Sequence, residues 1–229
     1  MRVINFLSSV IVIGAILGVL SMGLLEKINP GQIGVRQSLW GSGGIQEDDY
    51  EPGFHVGVMG IHKWHLLDRR THFLTFSSTA AIESGRGIFE VSSINSQRRP
   101  PLDIRTKDNN TAALDVTMTY RIIPDEAHSI VSEGLQNSYR DRVVSTVQSV
   151  LREELAQLTP EDFVDTDIRL ARAESTLPVL ASALKKFHIV PDRLLVRAVR
   201  FPDAYEQKLQ DRQLKQQLTL LEKSKQAVE

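Results

Sequence analysis

The chain is expected to fold as an α+β domain behind a membrane anchor. Three features of its 229 residues predict this. An uncharged run extends from Val3 to Leu25. Apolar residues then recur with a period of two as far as Ile122, and from Pro124 with a period near 3.6. These shifts divide the chain into an anchor (1–27), a strand-rich half (28–122), a helical half with a closing strand (123–201) and the start of a polar, coiled-coil-like helix (202–229).

As a helix, Val3–Leu25 would span about 35 Å, enough for the hydrocarbon core of a bilayer. A cleaved signal peptide is the alternative reading. Its apolar stretch would be shorter and would close on a small-x-small site, which this run lacks. Orientation stays open, because Arg2 on one side faces Lys27 and Arg36 on the other. Gly14 and Gly18 form G-x-x-x-G, which lets helix backbones approach and associate. Glycine is also common in membrane helices without any such contact.

The strand-rich half opens with two similar turns. Pro30-Gly31 and Pro52-Gly53 both suit the centre of a type II turn, where proline presets φ and glycine accepts a positive φ. The runs "QIGVRQSLW", "FHVGVMG" and "HKWHLLDRR" read as strands, with Phe54, Val56 and Val58 on one face. "GSGG" at Gly41–Gly44 reads as a hairpin tip and "EDD" at Glu47–Asp49 as a solvated loop. Ser77–Pro101 reads as a long loop with one short strand near Ile88–Val91. "LDIRT" and "TAALDVTMTYRI" read as a strand pair joined at "KDNN", with Leu114, Val116, Met118 and Tyr120 on one face.

The helical half begins with "PDEAHSIVSEG", a short helix ending at Gly134. A longer helix follows, whose Tyr139, Val143, Val147, Val150, Leu151, Leu155 and Leu158 form one stripe. Thr159 and Pro160 suit the cap and first position of another start, with Glu161 and Asp162 at the positive dipole end. A third amphipathic helix is expected to kink or break at Pro178. "RLLVRAVRF" returns to strand. After Pro202 the chain is polar and helical, with Leu214, Leu218, Leu221 and Val228 spaced as a short apolar seam.

Composition excludes several functions. A formal net charge of -1 argues against a nucleic-acid partner, which requires a basic face. The absence of cysteine removes disulfides, thiolate nucleophiles and Cys-ligated zinc. "GFHVGVMG" is not a Walker loop: no lysine follows it and both flanks read as strand, so no helix N-terminus meets a phosphate. Gly57 and Gly60 are read instead as places of close backbone approach. His62 and His65 stand three apart on a strand and so point to opposite faces. With His55 they make no metal site, and "EDD" lacks the spacing of an EF-hand. "GSGG" is not a nucleophile elbow. No catalytic residue, cofactor or metal ligand is assigned; Ser42, His55 and His62 are the residues that an anchored hydrolase would have to use.

The order of parts resembles the SPFH or Band 7 superfamily, which includes stomatins, prohibitins, flotillins and bacterial modulators of an AAA protease. The segments that carry the resemblance are "NPGQIGVRQSLW", "YEPGFHVGV", "LLDRR", "LDIRTKDNNTAALDVTMTYRI", "SYRDRV…VLREELAQLTPEDF" and "LVRAVRFPDAYEQKLQDRQLKQQ". The chain is most similar to prohibitin-like and protease-associated members. It departs from the pattern at His188, where members often have glycine, in the longer stretch Ser77–Pro101, and in the short helix after Pro202.

The resemblance implies a non-enzymatic membrane scaffold that assembles laterally into rings or cages and organises a microdomain. It implies membrane lipid and copies of the chain or an SPFH paralogue as partners, and a bacterial inner (cell) membrane as the location. Gly14, Gly18, Leu214, Leu218, Leu221 and Val228 would then supply subunit contacts. Regulation of a membrane AAA protease is the alternative that it also implies.

Overall fold

A computed structural model describes residues 24–41, 43–78 and 95–226. Gly14, Gly18, Ser42, Val228, the strand expected near Ile88–Val91 and nearly all of the Val3–Leu25 run lie outside them. No helix among the described residues is long and apolar enough to cross a membrane. The described residues divide into two compact units, each drawn from three stretches of chain. The first takes residues up to His72, Thr119–Thr146 and Leu180–Asp192; the second takes Phe73–Met118, Val147–Val179 and Arg193 onward.

The first unit begins with β1 (Leu25–Ile28), so the strand starts within the last residues of the expected anchor, 1–27. The turn at Pro30-Gly31 forms as predicted. Gly31 has φ 86, and the Gln32 N–H donates to the Asn29 carbonyl at 3.0 Å. It launches β2 (Gln32–Ser38), which lies between β3 (Ile45–Tyr50) and β5 (His62–Asp68), antiparallel to both. β4 (Gly53–Val56) pairs with β1 in a separate ribbon, with Leu25 opposite Val56 and Lys27 opposite Phe54.

Two expectations fail here. Gly53 has φ 153, far from the value of about +80 that a type II turn needs. The second Pro-Gly therefore bends the chain into β4 without copying the first turn. Glu47–Asp49 is part of β3 and not a loop. The face of β4 that carries Phe54 and Val56 is exposed. An exposed two-stranded ribbon has no second layer to cover that face.

Helix α1 (Ala127–Ser132) follows the left-handed Asp125 and stops at Gly134, with φ 60 and 69 respectively. α2 (Tyr139–Leu155) buries Tyr139 and Val143 in this unit; Val147, Leu151 and Leu155 continue the same stripe in the second, while Val150 is half-buried. Ile28, Val35, Leu67, Tyr120, Ile130 and Ile189 are also buried in the first unit.

The second unit rests on a sheet of order β10-β9-β6-β7 with β8 on β9. β6 spans His72–Phe76, β7 Ser96–Arg99, β8 Leu102–Arg105, β9 Thr111–Ile122 and β10 Ile189–Arg200. Ser96–Arg99, expected in a loop, runs parallel to β6. Its polar residues suit an edge strand, where one side meets water. Alternation in β9 is as expected: Leu114, Val116 and Met118 are fully buried. Asn109 takes φ 61 in the turn between β8 and β9.

Thr159 caps α3 (Pro160–Val164) in a capping box with Asp162, whose carboxyl is held below its usual range by hydrogen bonds from the Thr159 N–H and hydroxyl. α4 (Thr166–Leu184) is continuous through Pro178, so of the expected kink or break the break does not occur. Pro178 lies on the exposed side, where its ring and the unpaired carbonyl one turn back face water. β10 starts at Ile189, four residues earlier than expected, and it takes in Pro191 at the end of the sheet, where no ladder N–H is needed. The chain continues as α5 (Asp203–Gln226).

Candidate assembly and membrane-facing surfaces

The residues weighed for chemistry are engaged in holding the fold. His55 Nε2 lies 2.7 Å from the Glu51 carbonyl, and its ring meets Tyr50 edge-on. His62 Nδ1 accepts the Val58 N–H, at 3.0 Å. The two ring nitrogens of His65 reach the side-chain oxygens of Gln37 and Gln136, at 2.8 and 2.6 Å. Ser42 lies outside the described residues. Among the described residues, no three His, Asp or Glu side chains are grouped to hold a metal.

The glycines divide into two kinds. A Cβ on Gly57 would run into the indole nitrogen of Trp64, so the backbone does approach closely there. Gly60 has open space around it and φ 86, so its role is conformational. Trp64 in turn packs edge-on against Tyr50, with the Arg36 guanidinium over both rings. This aromatic group fixes the strands beneath the β1–β4 ribbon.

The ribbon itself presents large apolar side chains to solvent. Phe54 is 70% exposed, and Leu25 and Val56 are exposed as well; outside the ribbon, Met59 is 86% exposed, Trp40 73%, and Leu39 is exposed too. The Lys27 ammonium sits 6.0 Å from the Phe54 ring centre. Leu25, paired with Val56, is also the last residue of the uncharged run. An exposed apolar group of this size marks an interaction site. Aromatic and aliphatic side chains beside a lysine, at the mouth of an apolar segment, match the chemistry of a bilayer interface.

A second exposed apolar row lies on α5. Leu214, Leu218 and Leu221 are each more than half exposed on a helix that is mostly polar. The row's base is anchored: Arg200 donates to Asp115 at 2.6 Å, and Asp115 also accepts the Ser78 N–H at 3.1 Å. The Phe201 N–H donates to Glu206 in the first turn of α5, and Phe201 packs on Tyr205.

Two charged clusters were not found in the sequence. Asp49, expected in solvent, is buried and accepts the N–H groups of Ala127 and His128, both at 2.8 Å, which caps α1. His188 closes the other side. Its ring nitrogens lie 2.7 Å from Glu126 and 3.3 Å from Glu133, the residues that flank α1. His188 takes φ 60, the left-handed region that glycine occupies without cost.

The second cluster surrounds His72, which is 2% exposed and stacked on Tyr120. Burial pushes His72 below its ordinary pKa, with Arg140 and Arg70 adding to the effect, while the Asp68 carbonyl works against it. Burial also raises the Tyr120 phenol. Burial would raise Asp68 too, but hydrogen bonds from Arg70 outweigh it and hold the carboxyl below its usual range. Lone polar residues inside apolar strands, such as His72 in "HFLTF" and Asp115 in "LDVTM", are the signal that could have found these sites.

A family model described as "SPFH domain / Band 7 family" matches residues 26–229. A search of curated proteins finds no match to the chain.

Proposed function

Since the chain belongs to the SPFH domain / Band 7 family over residues 26–229, whose members are membrane-associated scaffolds or modulators, we propose that it is a single-pass membrane scaffold that self-assembles into large ring- or cage-like oligomers and organises a membrane microdomain. The observation that carries this reading is the leucine row of α5. Three leucines more than half exposed on a 24-residue helix leave an apolar seam that a neighbouring subunit would cover.

The β1–β4 ribbon supports the membrane half of the reading. Its exposed Phe54 and Val56 pair with Lys27 and Leu25 at the end of the uncharged run, where a bilayer surface would meet them. The proposed partners are therefore membrane lipid and further copies of this chain or of a paralogue.

The test is the size of the detergent-solubilised assembly. Leu218→Asp combined with Leu221→Asp is expected to shrink it in native gels, because a carboxylate on each turn cannot be buried unpaired. An unchanged size would count against the reading. Stoichiometric co-purification of a membrane AAA protease would instead assign regulation of that protease.

A further inference from the structure

A ring built head to tail needs two unlike faces on each subunit, one to give and one to receive. The leucine row of α5 is one such face. The second unit carries another on α4. Helices at a surface direct charge to water, yet one exposed line of α4 has none. Successive residues turn by about 100°, which places Ile168, Ala171, Ser175, Pro178 and Val179 along a single line. All five are exposed. Ile168 to Val179 covers about 16 Å of helix, and Leu214 to Leu221 about 10 Å.

The two faces are complementary in size. The α5 row offers branched, protruding leucines. The α4 line has small residues, Ala171 and Ser175, between its larger ends, which leaves hollows for knobs. They are also complementary in charge. Asp167 and Glu174, seven residues apart, are exposed along one flank of the α4 line. Lys208 and Lys215, also seven apart, are exposed along one flank of the α5 row, with the exposed Asp211 between them. The acidic and basic flanks lie on opposite hands of their faces. Such flanks meet when two packed helices run in the same direction.

We infer that the α4 line of one subunit receives the α5 leucine row of the next, parallel to it, with Asp167 and Glu174 beside Lys208 and Lys215. This inference rests on the assembly reading above and specifies its contact.

The chain has no cysteine, so single cysteines report contacts without background. Two differently tagged full-length chains, one carrying Val179→Cys and the other Leu221→Cys, are co-expressed in membranes and treated with a short bismaleimide. A mixed-tag band at twice the monomer mass is expected. It should be lost when Thr219→Cys, on the opposite side of α5, replaces Leu221→Cys. Same-tag Leu221→Cys dimers without mixed ones would overturn the inference and leave assembly standing, since α5 would then pair with α5. No cross-link in an assembly of unchanged size would overturn it as well. No cross-link together with a monomeric chain would overturn both readings. A charge exchange gives an independent check: Glu174→Lys should weaken assembly and Lys215→Glu should restore it, and failure of the restoration would overturn the proposed register.

Discussion

Arg200 and Asp115 meet at 2.6 Å, joining the last residue of β10 to the middle of β9 just before α5 begins. The carboxylate is buried and the guanidinium half exposed, and the Ser78 N–H shares the same carboxylate oxygen. The pair sets how the polar helix leaves the sheet, so the leucine row depends on it for its position. Asp115→Ala is expected to destabilise the chain by about 2 kcal/mol, through lost charged hydrogen bonds and an unpaired N–H. Arg200→Met should cost at least as much, because it leaves the buried Asp115 carboxylate without its cation and with only the Ser78 N–H to satisfy it. Chemical denaturation of the solubilised protein measures both, and equal stability of Asp115→Ala and the parent would refute this account.

His72 makes the first unit sensitive to acid. Its folded pKa lies below the unfolded value of about 6.5. The stability it contributes is full above that value. As pH falls, the unfolded chain takes up the proton first, and stability declines until the folded histidine is also charged. Asp68 acts in the same direction but lower, in the carboxylate range, because its folded pKa is depressed. The thermal midpoint should therefore fall between pH 8 and pH 5. His72→Phe should flatten that slope, and a slope unchanged by the substitution would exclude His72 as its source.

At His188, strain and bonding oppose each other. The residue pays the cost of left-handed backbone, about 1–2 kcal/mol for a side chain other than glycine. In return its ring reaches Glu126 and Glu133 at the two ends of α1. His188→Ala keeps the strain and loses both contacts; His188→Gly loses both contacts and the strain. The glycine variant is therefore expected to be the more stable of the two by about 1 kcal/mol. An alanine variant equal to or above the glycine variant in thermal midpoint would show that φ is not limiting.

Gly57 and Gly60 should respond differently to alanine. Gly57→Ala drives a methyl into the Trp64 indole and is expected to cost about 1–3 kcal/mol by overpacking. Trp64→Phe in the same chain should recover part of that loss by removing the atoms that clash. Gly60→Ala meets open space but holds φ 86, so it should cost only about 1–2 kcal/mol of backbone strain, with no rescue from Trp64→Phe. Fluorescence-detected unfolding of the two pairs of variants distinguishes these mechanisms.

How much could be read in advance depended on what each residue's neighbours in sequence already settle. The Pro30-Gly31 turn, the β9 alternation, the Thr159 cap and the α2 stripe are local patterns, and all four are present. Pro52-Gly53 has the same two residues as the first turn but not its geometry, because β4 pairs with β1 and draws Gly53 into extended backbone. "EDD" has the composition of a loop. It became strand because β2 supplied the ladder and α1 supplied two N–H groups for Asp49, 78 and 79 residues away in sequence.

The sequence by itself determined the period of each segment, the polar character of α5 and the family. Those follow from side-chain chemistry repeated at short range, which needs no fold to be read. Only the tertiary structure decided which apolar faces were left uncovered. Phe54 and Val56 alternate like core residues but are exposed, while Leu114 and Val116 with the same alternation are fully buried. The difference is whether a second layer packs on the strand, and that layer comes from distant parts of the chain. The same reasoning applies to Asp49, Asp115, His72 and His188: a charge or an imidazole acquires its role from partners that only folding brings within hydrogen-bond distance.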